Sequence, residues 1–486
     1  VNFGLPHFEL KPTLIAVGLV VLIFATRLLH LANHSYYWIV NADSFYFHHL
    51  ATLAHNGQAV AFKGSGLAYL LRNDPHTLTI LMPVAIALLI ALMLAVYVRH
   101  LYGKNMPYQM AVVFMFAMLI PAIFITEAGN VDRDGLELLL MIPALFSYYF
   151  MVNALDKPME ALVYAIPCAA SMGLLVWLWS PIAIPIMLSI VTVYTLWQKH
   201  SKRAILLCLV VVALGMVAYA YSKVPITGTL SQEAAELHPI QLGNIITYLP
   251  IALPLVAGIR YMAKQRRSHE MFLLTWLLVS FAEGIAMSRL LLFIIPPVCI
   301  VSGIGLVEFY KEFMQPEKRR ILYIISGLAV VTALIFPWYN FADAIMPSYW
   351  VKACQWIKQN TPADSVVVSW WDHGTWIQDV GERYPYVSGC GDNHSPEQDK
   401  AVAMIYCATD DSVAANLLTN RGTYVILSSV ERHYFSAIKG KAGYHGKNEA
   451  TLWGRALKEG YQSDWFAVVY QDKSIVVLEV KGEEGL

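Results

Sequence analysis

Charge is scarce in this chain. Asp, Glu, Lys and Arg make up 14% of its 486 residues, with both signs in equal number, so the formal net charge is zero. Such a balance offers no basic field, and no nucleic-acid partner is expected. Cysteine is sparse as well: the six present show no metal-ligand spacing. Cys168, Cys208 and Cys299 fall in apolar runs and read as inert core thiols. Cys354, Cys390 and Cys407 fall in the more polar tail, where one disulfide is allowed. No internal repeat or low-complexity segment stands out. The chain begins Val1-Asn2 rather than with Met, which reads as trimming, and the first apolar run carries no small-residue processing site.

What the chain has in excess is apolar surface: 57% of residues are hydrophobic and the mean hydropathy is +0.51. Spanning a bilayer takes about 20 apolar residues. Runs of that kind cover 12–33, 78–98, 107–125, 135–153, 159–178, 181–197, 203–221, 244–262, 270–287, 290–310 and 321–337. Ser180-Pro181 splits one of these stretches tightly. Alternate loops hold most of the basic residues: Arg99 and Lys104; Lys157; Lys199, Lys202 and Arg203; Lys264, Arg266 and Arg267; Lys311, Lys318, Arg319 and Arg320. Cytoplasmic loops carry that excess. The bias puts the N-terminus in the cytoplasm and the tail outside.

The expected architecture is therefore a polytopic α-helical membrane domain over 1–337, followed by a mixed α/β external domain over 338–486. In the tail, Tyr349 to Gln359 has helical spacing and Val366 to Ser369 reads as a strand. A helix is predicted over Asp399 to Leu418 and a strand over Tyr424 to Leu427. Phe466 to Tyr470 and Ile475 to Val480 form a hairpin about Gln471-Asp472-Lys473-Ser474. At roughly 150 residues the tail is large enough to bury a core of its own.

After the β-branched run Val366-Val367-Val368 come Ser369-Trp370-Trp371-Asp372-His373-Gly374. A buried strand delivers its end to a surface. There, Trp supplies flat faces and an N–H, and Asp supplies acceptors. These groups suit a pocket for a hydroxyl-bearing side chain. Two core tryptophans and a capping Asp would account for the same letters.

Carboxylates at a membrane boundary are costly to desolvate, and three groups of them fall on external segments. Asp43 opens Asp43-Ser44-Phe45-Tyr46-Phe47-His48, an amphipathic stretch that reads as a short interfacial helix; an N-cap role is the alternative. Asp132 and Asp134 flank Arg133 just before the fourth apolar run. Such a pair suits a hard divalent cation, and equally a helix N-terminus. Glu233 and Glu236 stand in the external loop of about 222–243. Gathered without a metal, such side chains would repel one another and their pKa values would rise. Mg2+ or Mn2+ would relieve that.

Taken together, these motifs resemble the catalytic subunit of asparagine-linked oligosaccharyltransferase, a membrane glycosyltransferase of the GT-C fold. Trp370-Trp371-Asp372-His373-Gly374 is similar to the family's WWDYG signature, with His373 in the Tyr place. Asp43 matches the Asp of the first external loop, and Asp132 and Asp134 match the Asp-x-Asp motif. Glu236 matches the catalytic loop Glu, with Pro239 following at the family's spacing and Glu233 as the fallback. The family's pyrophosphate-holding Arg is matched by Arg289. Its D-x-x-K-x-x-x-M/I helix is best matched by Glu431 to Ile438, with Glu431 and Tyr434 in place of Asp and Lys. Between Asp134 and Glu236 the chain is shorter than the family's plan.

The resemblance implies transfer of a preassembled glycan from a polyprenyl (pyro)phosphate to Asn in N-x-Ser/Thr, with inversion at the anomeric carbon. Asp43 and Glu236 would be catalytic, and Asp43, Asp132, Asp134 and Glu236 would hold Mn2+ or Mg2+. Trp370, Trp371, Asp372 and Ile438 would bind the sequon. A lipid-linked oligosaccharide, an acceptor polypeptide and membrane lipid are the implied partners, for a single subunit in the plasma (inner) membrane. The alternative is a polyprenyl-phosphate-sugar glycosyltransferase of the same fold that acts on lipid or polysaccharide.

Overall fold

The computed structural model describes residues 12–28, 42–57, 70–126, 133–177, 190–195, 248, 251–286, 288–312, 346–388, 395–419, 423–433 and 435–481. The apolar runs expected at 203–221 and 321–337, and most of 181–197, lie outside the described residues. The helices in chain order begin with α1 (Pro12–Leu28), α2 (Ala42–His55), α3 (Pro75–Tyr102), α4 (Met106–Met118), α5 (Ile120–Ile125), α6 (Arg133–Asn153) and α7 (Pro158–Trp177). They continue with α8 (Ala252–Gln265), α9 (Ser268–Ala286) and α10 (Ile295–Glu312). Two compact units emerge: Val1–Asn33 with Ile80–Asp343, and His34–Thr79 with Ala344–Leu486. Helix α2, placed by the sequence in the membrane domain, thus falls in one unit with the tail.

The described residues of the first unit are helical. Among the described residues four helices are long and apolar enough to cross a membrane, from Pro75, Asp134, Pro158 and Leu291 onward. The helices α8 and α10 approach closely because glycines line the crossing. A Cβ on Gly258 would strike the Val301 carbonyl, and one on Gly305 the Pro254 carbonyl. The run expected over 107–125 is broken. Leu119 is extended (ψ 115°) and Pro121 sits in the first turn of α5. Pro121 has no N–H for the Ala117 carbonyl; Arg27 of α1 supplies a donor instead, Nη1 to Ala117 O at 2.8 Å. Its Nη2 reaches Phe116 O at 3.2 Å and its Nε reaches Thr126 Oγ1 at 3.1 Å. The guanidinium is fully buried and lies 5.1 Å from the Phe116 ring centroid.

The second unit is an α/β layer structure. Among its described residues five strands, β1 (Val366–Val368), β2 (Tyr384–Pro385), β3 (Tyr424–Ser428), β4 (Phe466–Asp472) and β5 (Ile475–Val480), form one sheet in the order β2-β1-β3-β5-β4. The β1 strand runs parallel to β2 and β3, whereas β5 runs antiparallel to β3 and β4. Side chains alternate across a strand, and the letters obey. Val367, Tyr424, Ile426, Ile475 and Val477 face one core, while Val368, Val425, Leu427, Val476 and Leu478 face the other. The first core is covered by α11 (Ser348–Asn360), α12 (Gly374–Asp379) and residues of α2. The second is covered by α13 (Pro396–Cys407), α14 (Asp411–Thr419), α15 (Phe435–Ala442) and α16 (Leu452–Ala456).

The helix expected over Asp399 to Leu418 is two helices. Ala408 turns to ψ 130°, and the Asp410 carboxylate accepts from Ser412 N at 2.8 Å and so starts α14. The helix expected over Glu431 to Ile438 is also divided, into a 3-10 turn at Val430–His433 and α15. Cys354 and Cys407 are buried free thiols, so neither forms the disulfide that the tail allowed; Cys390 lies outside the described residues.

Candidate functional site

Strand β1 hands the chain through Ser369 to Trp370, and Trp371-Asp372-His373 then form a single 3-10 turn ahead of α12. The Trp370 N–H donates to Tyr406 Oη at 3.0 Å, and that hydroxyl donates to Ile426 O at 2.6 Å. A side chain of α13 therefore clamps the exit of β1 to β3. Burial raises the Tyr406 hydroxyl well above its usual range, which keeps it a donor. The His373 N–H closes the turn on Trp370 O at 3.0 Å. Gly374 is required by space, since a Cβ there would strike the Val387 carbonyl and Ser388 Cα.

Burial separates the motif residues into two roles. Trp370 is 4% exposed and belongs to the core. Lys441 Nζ lies over its ring at 5.7 Å and is held by Asp399 Oδ2 at 2.8 Å. Trp371 and Asp372 are half-buried and form the accessible part. Ile438 is fully buried in the same core as Trp370, so it lies behind the motif rather than on its open side. His373 is buried between Trp350 and Trp376, with ring centroids at 4.6 and 4.8 Å, and its Nδ1 is 3.5 Å from Glu431 Oε1. The other Glu431 oxygen accepts from Ser428 N at 3.0 Å and Ser428 Oγ at 2.6 Å. Burial pushes His373 down to about 3 and Glu431 up to about 7.

Asp43 stands in the first turn of α2, which packs against α12. Asp134 lies in the first turn of α6 and is half-buried. One turn on, Glu137 is 4% exposed, a buried carboxylate that the sequence reading passed over although its i+3 spacing from Asp134 was visible. Arg289 falls in the 3-10 turn Ser288–Ile294 that leads into α10. Asp132, Glu233 and Glu236 lie outside the described residues. Among the described residues, no group of three or more His, Cys, Asp or Glu is gathered as a metal ion would need.

No family model matches the chain. Curated relatives are similar over segments. A dolichyl-phosphooligosaccharide-protein glycotransferase of Pyrococcus furiosus is 26% identical over 191 residues, 35% of this chain and 19% of its own length. A second glycotransferase of that organism is 25% identical over 256 residues, 53% of this chain and 31% of its own. The matches thus span less than a third of those relatives' length. The oligosaccharyltransferase AglB of Archaeoglobus fulgidus, solved with an inhibitory peptide and a dolichol-phosphate, superposes over 95% of this chain and 79% of its own, with a TM-score of 0.72 and 15% identity. Structures of the Archaeoglobus fulgidus oligosaccharyltransferase also exist with an acceptor peptide containing the NVT sequon and with Zn and sulfate, at TM-scores of 0.65 and 0.63 and 16% identity; these cover 90% and 93% of this chain and 71% of the solved chain in each case. ArnT of Cupriavidus metallidurans, bound to undecaprenyl phosphate, superposes over 97% of this chain and 98% of its own, with a TM-score of 0.56 and 11% identity. The fold is therefore the GT-C fold of these membrane glycosyltransferases, extended by a C-terminal mixed-sheet domain. The chain is an integral membrane protein similar to archaeal oligosaccharyltransferases.

Proposed function

We propose that the chain is an oligosaccharyltransferase, moving a preassembled glycan from a polyprenyl (pyro)phosphate to the side-chain amide of Asn in N-x-Ser/Thr. One observation carries the reading: a rigidly clamped turn that buries Trp370 and leaves Trp371 and Asp372 accessible, on the same unit as helix α2 and its Asp43. A pocket built to accept a hydroxyl hydrogen bond rejects acceptors that lack one, which gives the Ser/Thr requirement. In this reading Trp371 and Asp372 receive the hydroxyl. Trp370 is the floor, and Ile438, in the core behind it, backs that floor beneath the Thr methyl. The relatives named as oligosaccharyltransferases, solved with a dolichol-phosphate and with an acceptor peptide, support both substrates.

The amide nitrogen of Asn is a poor nucleophile because its lone pair is delocalised. Asp43 and Glu236 would each accept a hydrogen bond from the N–H2 group, favouring a rotated amide whose lone pair is free to attack the anomeric carbon with inversion. Asp43, Asp132, Asp134 and Glu236 would hold Mn2+ or Mg2+, which when bound supplies positive charge to the departing pyrophosphate. Arg289 would add its own charge there. The Lys and Arg bias among the loops supports a plasma-membrane protein with its N-terminus in the cytoplasm and the sheet domain outside. The test is Asn- and Thr-dependent glycosylation of a peptide by the purified protein.

A polyprenyl-phosphate-sugar glycosyltransferase acting on lipid or polysaccharide is the second reading, favoured by the near-complete mutual coverage with ArnT. It needs no Trp-Trp-Asp hydroxyl pocket, and peptide dependence separates the two.

A further inference from the structure

Two contacts in step join helix α2 to helix α12. Phe45 meets Trp376 edge-on at 6.3 Å between centroids, and three residues further along both helices His48 Nδ1 meets Asp379 Oδ1 at 2.9 Å. A spacing of three places each pair on one helix face. A carboxylate only accepts, so Nδ1 carries the proton and donates. The side chains of His48 and Asp379 are 16% and 4% exposed, and Phe45 is fully buried. The ladder continues into the signature turn, because Trp376 also packs against His373 at 4.8 Å. One end of this body is the first turn of α2, with Asp43; the other is the turn bearing Trp371 and Asp372.

We infer that His48 and Asp379 are positioning residues that hold Asp43 and the acceptor-hydroxyl pocket at a fixed separation, so that a peptide gripped by its Ser/Thr presents its Asn amide at Asp43. The inference rests on the oligosaccharyltransferase reading. It follows from the chemistry of the acceptor: the amide and the hydroxyl sit two residues apart on one peptide, and misplacement by about 1 Å can cost about 100-fold in rate. Hydroxyl binding and amide activation are then separable. Loosening the ladder leaves the first intact and harms the second.

The test uses full-length protein in detergent with lipid-linked oligosaccharide, Mn2+ and a fluorescent Asn-x-Thr peptide, comparing wild type, His48→Ala, Asp379→Ala and Asp379→Asn. The single-turnover rate at saturating peptide should fall about tenfold or more in both Ala variants. Peptide Kd should stay within about twofold, with the same number of binding sites per protein. Asp379→Asn, whose amide oxygen still accepts from Nδ1, should keep most of the rate. Unchanged rates in the Ala variants overturn the inference. So does a rate loss matched by an equal loss of binding sites, which marks a folding role alone. Wild-type protein that glycosylates no Asn peptide overturns the oligosaccharyltransferase reading and this inference with it.

Discussion

The imidazole Nδ1 of His373 lies 3.5 Å from the Glu431 carboxylate, with the two side chains 2% and 0% exposed. Residues from the signature turn and from the 3-10 turn after β3 thus meet in the core. Burial raises Glu431 from 4.5 to about 7, so its protonated form contributes stability that is full below pH 4.5 and lost as pH rises through 7. Burial lowers His373 from 6.5 to about 3, so its neutral form contributes stability that is full above pH 6.5 and lost as pH falls through 3. The slopes oppose between 4.5 and 6.5, and wild-type stability should be nearly flat there. Glu431→Gln removes one slope. Its thermal melting should decline steadily from pH 6.5 towards 3, with a gain over wild type of roughly 2 to 3 kcal/mol at pH 8. Melting curves across pH 3.5 to 8.5 check this.

Tyr406→Phe deletes the hydroxyl shared by the Trp370 N–H and the Ile426 carbonyl. Both groups are buried, and leaving them unpaired costs about 1 to 3 kcal/mol. A lower melting temperature and weaker acceptor-peptide binding should appear together, because the clamp sets the direction in which β1 leaves the sheet.

Arg27→Met leaves the Ala117 and Phe116 carbonyls without their donor beside the Pro121 break. The expected loss is about 2 to 4 kcal/mol, with Arg27→Lys intermediate because an ammonium can serve one carbonyl well but not the whole fork. Thermal melting in detergent measures it.

Asp372→Ala should raise acceptor KM about tenfold or more while leaving the Mn2+ concentration for half-maximal activity unchanged. A peptide titration and a metal titration on the same variant distinguish the pocket from the metal site. A shift in the metal titration alone would contradict the assignment.

Local pattern carried a good deal of this account. The strands of the tail stood out because Val367 and Val368, or Tyr424 and Val425, alternate between two apolar cores. The signature turn stood out because two tryptophans and an Asp follow a β-branched run. What stayed hidden was set by distant partners. His48 and Asp379 are 331 residues apart, and no periodicity links them, so the packing of α2 with the tail had no local signal. The family resemblance implies one helix from Glu431 to Ile438. In the structure the Glu431 carboxylate reaches back to the Ser428 N–H and caps the start of a 3-10 turn, Val430–His433, that is separate from α15. The break at Ala408 to Asp410 had a visible cue in Thr-Asp-Asp-Ser, a capping sequence inside an otherwise helical pattern.

The central claim is peptide glycosylation. Purified protein incubated with lipid-linked oligosaccharide, Mn2+ and a fluorescent Asn-x-Thr peptide should produce a gel-shifted glycopeptide. The shift should vanish with an Asn→Gln peptide, with chelator, and with Asp43→Ala protein. Absence of a shift with several competent donors, together with sugar release onto a lipid or glycan acceptor, would contradict the account and assign the chain to lipid or polysaccharide modification.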